Sequence, residues 1–253
     1  RMMDDFRSYI GAVCGVNTCC KEERDNPSRV SEINPSDYKV LFTSGASESN
    51  SFIIQSIVAS YISIKKKKPH IVVSALEHKS ILDCVSALEA RGDLSVTSVA
   101  PGPDGKIWPD SVKKCITAST CLVCVMHANN ETGVINNVAE IGRIAHSMGV
   151  PFHCDTVQTF GKFPPNLIDN NIDSTSVSFH KFYGVPGAGV LIVKQQLVSG
   201  YKLGPLIYGS QNEGLRGGTE NVPGIGAGFE AMKMTMLDRN NKNAKLLALK
   251  KYV

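Results

Sequence analysis

The stretch Val40-Leu-Phe-Thr-Ser-Gly-Ala-Ser-Glu-Ser-Asn50 starts as a short apolar run, turns on small residues and passes into a longer segment of helical periodicity. The same unit recurs outward from it. Short runs at Val40 to Thr43, Ile71 to Ala75, Val96 to Val99, Leu122 to His127, Phe152 to Asp155, Ser174 to Phe179 and Val190 to Lys194 read as strands. Between them Glu48 to Ile64, Ser80 to Ala90, Pro109 to Ala118 and Val138 to Met148 read as helices, with Pro109 suited to a first turn, where its missing N–H costs nothing. Apolar strands alternating with helices predict an α/β fold, a mostly parallel seven-stranded sheet flanked by helices. No repeat or linker interrupts the series, so one large domain is expected from about 38 to 230. Residues 1–37, polar and irregular around Asp25 to Ser36, are expected to be peripheral, and 231–253 to form a C-terminal helix.

The 253 residues are 42% apolar and 20% charged, a soluble globular balance that argues against both disorder and a membrane protein. The formal charge of +4 is small, and the Lys65 to Lys68 run before Pro69 fits a solvated helix end better than a nucleic-acid groove. No apolar run approaches the ~20 residues of a membrane span, and no signal pattern opens the chain. A cytoplasmic location is therefore expected, with an organelle matrix as the alternative. Arg1 in place of an initiator methionine predicts that a natural beginning is missing. Eight cysteines, several inside apolar runs, read as reduced core residues. Cys121 and Cys124 have a metal-like spacing, but residues three apart on an extended strand face opposite sides, so no metal site is expected.

Ligands of open α/β sheets bind outside the carboxyl ends of the strands, and the chemically suggestive residues fall there. Thr43-Ser-Gly-Ala-Ser47 leads a strand into a helix, where free backbone N–H groups can hold a phosphate; a tight turn with a serine cap is the alternative. It has neither the spacing nor the Lys-Ser/Thr pair of a nucleotide-hydrolysing loop. Lys181, where a strand becomes a glycine-bearing loop, can be desolvated into a nucleophilic amine. Asp155, closing an apolar strand, needs a partner once buried, and a protonated pyridine nitrogen would serve; capping the next helix is the alternative.

Together these segments resemble the cysteine desulfurases of the NifS/IscS type, in class V of the fold-type I pyridoxal-phosphate enzymes. The resemblance runs from about 38 to 230 and rests on six motifs in order: Phe42-Thr-Ser-Gly-Ala-Ser-Glu-Ser-Asn50, Glu77-His78, Asn129-Asn-Glu-Thr-Gly133, His153-Cys-Asp-Thr-Val-Gln158, Ser178-Phe-His-Lys-Phe-Tyr-Gly184 and Leu215-Arg-Gly-Gly-Thr-Glu-Asn221. It implies that 38–230 is the large, cofactor-binding domain of that fold and that 231–253 leads toward a small C-terminal domain absent from this chain. Lys181 would be the Schiff-base lysine and proton shuttle, with His78 stacking on the ring of pyridoxal 5'-phosphate and assisting proton transfer. Asp155 would face the pyridine nitrogen, and Gln158 and Asn130 the phenolic oxygen. Gly45, Ala46, Ser47, Ser178 and His180 would hold the phosphate, with Thr219 of a second subunit completing the cup, which implies a homodimer. L-cysteine would be the substrate, alanine and a persulfide the products, and a sulfur-acceptor protein, as in iron–sulfur cluster assembly, a possible partner.

The sequence also departs from the family. Ser47 replaces the usual threonine, and Val185-Pro186-Gly187 replaces a Gly-Pro-Lys-Gly continuation. All eight cysteines precede Thr219, so none matches the family's persulfide cysteine. Two further readings stay open on these residues: a scaffold that keeps the fold without catalysis, and a selenocysteine lyase or other class V relative.

Overall fold

The computed structural model describes residues 2–15 and 38–252. Seven strands, β1 (Tyr38–Thr43), β2 (His70–Ser74), β3 (Ser95–Val99), β4 (Thr120–Cys124), β5 (Phe152–Asp155), β6 (Ser174–Ser178) and β7 (Gly189–Lys194), form one sheet in the order β1-β7-β6-β5-β4-β2-β3. All but β7 run in the same direction; β7 is antiparallel to both of its neighbours. Residues 179–188 join β6 to β7, fewer than the dozen or so that a parallel crossover needs, so the chain reverses instead. The expected strand to His127 is present in its pairing: beyond β4, the N–H groups of Val125 and His127 still donate to the carbonyls of His153 and Asp155.

Helices cover both faces. On one lie α2 (Ala46–Lys65) and α3 (Lys79–Ala90), packed on Ile71, Val73, Leu122 and Leu191. The other face, built from Val72, Val123, Phe152, Val177 and Ile192, is covered by α1 (Met2–Val13), α4 (Pro109–Cys115), α5 (Val138–Ser147) and α7 (Val222–Leu237). The short α6 (Gln195–Tyr201) follows β7, and α8 (Arg239–Leu249) follows α7. Helix α2 ends where Lys66 turns left-handed and donates its N–H to Ile62, leaving Lys65 to Lys68 exposed before Pro69. Helix α4 stops at Cys115, short of the expected Ala118, because the Thr117 N–H is taken by the Thr120 hydroxyl in the turn into β4.

Three expectations are corrected. Met2–Val13, within the segment read as peripheral, is a helix with Phe6 and Ile10 fully buried. The Phe6 ring stacks on Phe229 of α7 at 4.6 Å and meets Phe179 at 5.4 Å. The expected boundary after residue 230 falls inside α7. Cys121 and Cys124 do not face opposite sides: a register shift, with His70 beside Thr120 but Ile71 beside Leu122, lets both pack into the cluster beneath α2 and α3. Burial pushes the Cys121 thiol up to about 12 and Cys124 well above its usual value, so both stay protonated. Asp25 to Ser36 lie outside the described residues.

Candidate cofactor site

A cavity of about 360 Å³ opens at the carboxyl ends of β1, β5 and β6. Gly45, Ala46, Ser47, His78, Asn130, Asp155, Gln158, Ser178, His180 and Lys181 line it, joined by Ser44, Glu48, Met126, Val157, Pro186 and Gly187. Thr219 does not.

The wall formed by β1 and α2 is a bare helix start. Gly45 has φ +151° and offers no side-chain cap, so the N–H groups of the first turn are left for a ligand. The turn is set from β7: a side chain on Gly189 would come within 2.7 Å of the Gly45 Cα, so only glycine there lets the loop sit this close. Glu48 braces it from within, accepting from the Ser44 N–H at 2.7 Å and from the Arg216 guanidinium at 2.9 and 3.2 Å. On the facing wall, Ser178 Oγ lies 3.0 Å from His180 Nδ1. Partial burial and the neighbouring Lys181 hold His180 below the usual imidazole range. A cradle of backbone N–H groups, hydroxyls and an imidazole suits a phosphate.

Lys181 projects from a single 3-10 turn, Phe179–Phe182, that follows β6. The turn closes on Tyr183 in the left-handed region (φ 72°), with the Gly184 N–H donating to the Phe179 carbonyl at 2.9 Å. Helix α7 fixes it from behind, because Gly228 lies so near the Phe179 ring that a Cβ there would be 2.2 Å from Cδ2.

Asp155 forms the floor and is 4% exposed. Its oxygens accept from Asn50 Nδ2 at 3.0 Å and the Val157 N–H at 2.9 Å, both neutral donors. Among the described residues no cation reaches it at ion-pair distance. Burial pushes its pKa up, while Asn50, the Val157 N–H, His78 and Lys181 pull the other way. The carboxylate therefore has room for a cationic partner from the cavity. Its neighbour Glu77 is as deeply buried but has fewer donors: Oε1 accepts from the Met126 N–H at 2.6 Å while Oε2 has no partner. Burial raises Glu77 to about 8, with a further push from Asp155. Of the two acids, Glu77 is the one that stays neutral.

The family described as aminotransferase class-V matches residues 28–253. The chain belongs to the aminotransferase class-V family. It is 40% identical over 222 residues to a cysteine desulfurase IscS of Anaeromyxobacter dehalogenans, covering 86% of this chain and 53% of the relative. It is also 36% identical over 213 residues to a putative cysteine desulfurase NifS of Bacillus subtilis, covering 84% and 52%. This class-V chain thus spans about half the length of the curated relatives it matches. A solved NifS-like protein superposes with a TM-score of 0.79 at 30% identity, over 95% of this chain and 59% of that one. DndA from Streptomyces lividans gives 0.78 at 31%, over 95% and 62%. Class V aminotransferases and cysteine desulfurases of this kind are pyridoxal-phosphate enzymes.

Within the class-V domain, the Leu215–Asn221 motif sits beside the cavity without entering it. Arg216 holds Glu48, and Asn221 donates to the Gly187 carbonyl at 3.3 Å while capping α7. Thr219 lies exposed between these anchors. Sequence reading gave no role to Asn50, Ser80 or His153. Signals for two of these were present: His153 and Asp155 share a strand face by period two, and Asn50 stands one turn beyond Ala46 on α2.

Proposed function

We propose that this chain binds pyridoxal phosphate through Lys181 and forms the cofactor-holding part of a homodimeric cysteine desulfurase acting on L-cysteine. One observation carries the reading: a single cavity gathers an amine, a buried carboxylate without a cation and an uncapped helix start. Those groups fit the cofactor's aldehyde, pyridine nitrogen and phosphate respectively.

Bound pyridoxal phosphate supplies an electron sink for charge developing at an amino acid's α-carbon. Asp155 keeps a proton on the ring nitrogen, which the neutral Glu77 beside it does not contest. The Ser178 hydroxyl, His180 and the first turn of α2 anchor the phosphate, and Gln158 and Asn130 orient the phenolic edge. Lys181 would hold the cofactor's aldehyde and, when free, would carry the proton at the substrate α-carbon. His78, held at the start of α3 and lining the cavity, would pack over the ring. Among the described residues no cysteine lines the cavity, so the thiol that accepts sulfur comes from elsewhere; it gains the substrate's sulfur as a persulfide, and alanine leaves. In the homodimer, Thr219 of one subunit completes the phosphate cup of the other.

The test is the visible absorption of purified chain mixed with pyridoxal phosphate, beside a Lys181→Ala variant. The wild type should develop a protein-bound band that borohydride fixes covalently, and the variant should not. Equal spectra for the two proteins would sink the assignment of Lys181. Release of alanine from L-cysteine by the cofactor-loaded protein, with an added thiol as sulfur acceptor, tests the substrate.

A further inference from the structure

Asn50 is buried in the second turn of α2, outside the cavity lining, yet its amide touches three polar side chains. Its Nδ2 lies 3.0 Å from Asp155 Oδ2 and 2.9 Å from Ser80 Oγ, and its Oδ1 lies 2.9 Å from His153 Nε2. The connections continue outward: Ser80 Oγ is 2.8 Å from His78 Nδ1, and Ser174 Oγ is 2.9 Å from His153 Nδ1.

With Asp155 as the anion that a pyridinium partner requires, donor and acceptor chemistry orders the protons of this network. An ionised carboxylate only accepts, so the Asn50 nitrogen must face Asp155 and its oxygen must face His153. The oxygen only accepts, so His153 carries its proton on Nε2. His153 is fully buried and therefore neutral, which leaves Nδ1 to receive the Ser174 hydroxyl proton. The second Asn50 N–H goes to Ser80 Oγ, whose own proton then points at His78 Nδ1. That nitrogen also accepts from the Ser80 N–H at 3.1 Å, which makes Nδ1 an acceptor and places the ring N–H of His78 on Nε2.

We infer that Asn50 is a positioning residue: one buried amide, oriented by His153, fixes the Asp155 carboxylate and holds the Ser80 hydroxyl against His78. The purpose of the relay and the charge on Asp155 rest on the pyridoxal-phosphate reading. Removing the Asn50 amide takes a hydrogen bond from the Asp155 anion, makes that carboxylate more basic, and draws the proton from the ring nitrogen toward Asp155.

Two measurements test this. In the chain without cofactor, ¹⁵N NMR of labelled histidine should show His153 neutral, protonated on Nε2 and unchanged from pH 6 to pH 8. A His153 that titrates in that range, or carries its proton on Nδ1, overturns the relay whether or not the chain binds cofactor. With ¹⁵N-labelled pyridoxal phosphate bound, the ring nitrogen should read as protonated in the wild type. In Asn50→Leu and His153→Leu it should move toward the unprotonated position, with binding about tenfold weaker, the scale of one charge-assisted hydrogen bond. His153→Gln, whose amide N–H can stand in for Nε2–H, should restore the wild-type signal. A ring-nitrogen signal unmoved in both leucine variants would refute the inference. If they fail to fold, the wild-type histidine spectrum decides it alone. Failure of the wild type to bind cofactor would instead count against the proposed function.

Discussion

Replacing Glu77 by glutamine should make the chain's stability far less sensitive to a rise in pH from 5 to 8. Glu77 is buried beneath the cavity with one oxygen on the Met126 N–H and the other unpartnered, and burial lifts its pKa to about 8. Unfolded, the same carboxyl titrates near its ordinary 4.5. Between those values the folded chain keeps a proton that the unfolded chain has released. The stability it confers is complete in acid and drains away as pH rises through 8. At ~1.4 kcal/mol per pH unit, the wild type should lose about 4 kcal/mol relative to Glu77→Gln between pH 5 and pH 8. Glutamine is nearly isosteric, can accept from Met126 through Oε1 and does not titrate, so contributions from Asp155 and other shared groups largely cancel in the difference. Urea unfolding of both chains at several pH values measures the gap. Parallel curves, with a gap changing by less than about 1 kcal/mol, would mean that Glu77 is ionised in the folded protein and that the division of charge between the two buried acids is mistaken.

Other consequences follow from the packing. His127 is buried against Thr159, and burial lowers its pKa to about 4. The unfolded chain therefore binds the extra proton first, and stability should fall as pH drops from 6.5 toward 4, by about 3 kcal/mol less in His127→Gln than in the wild type. Gly228→Ala drives a methyl group to within 2.2 Å of the Phe179 ring; it should cost ~1–3 kcal/mol in thermal unfolding and weaken pyridoxal-phosphate binding by shifting the turn that carries Lys181. Phe6→Ala removes a fully buried ring from the junction of α1, α7 and the Lys181 turn, and should cost ~3–5 kcal/mol in chemical denaturation; a loss below about 1 kcal/mol would mean that α1 is dispensable.

The sequence by itself determined the order and type of the elements from β1 to β7, because each depends on neighbours within a few residues: Val, Ile and Leu runs for buried strands, helical spacing between them, Gly45 and Gly184 at the turns. It also marked the residues around the cavity, since strand ends in such a sheet converge on one rim. Only the tertiary structure decided how distant groups meet. The reversal of β7 and its insertion between β1 and β6 are matters of pairing across the sheet, to which a local apolar pattern is blind. The register shift at Cys121 arises from the partner strand, and α1 gains its place from three aromatic rings far along the chain. The buried network shows the division most clearly. Asn50 is one more polar residue in a helix until folding sets it against His153 and Asp155, 103 and 105 residues away, where the absence of water obliges every donor to find its acceptor.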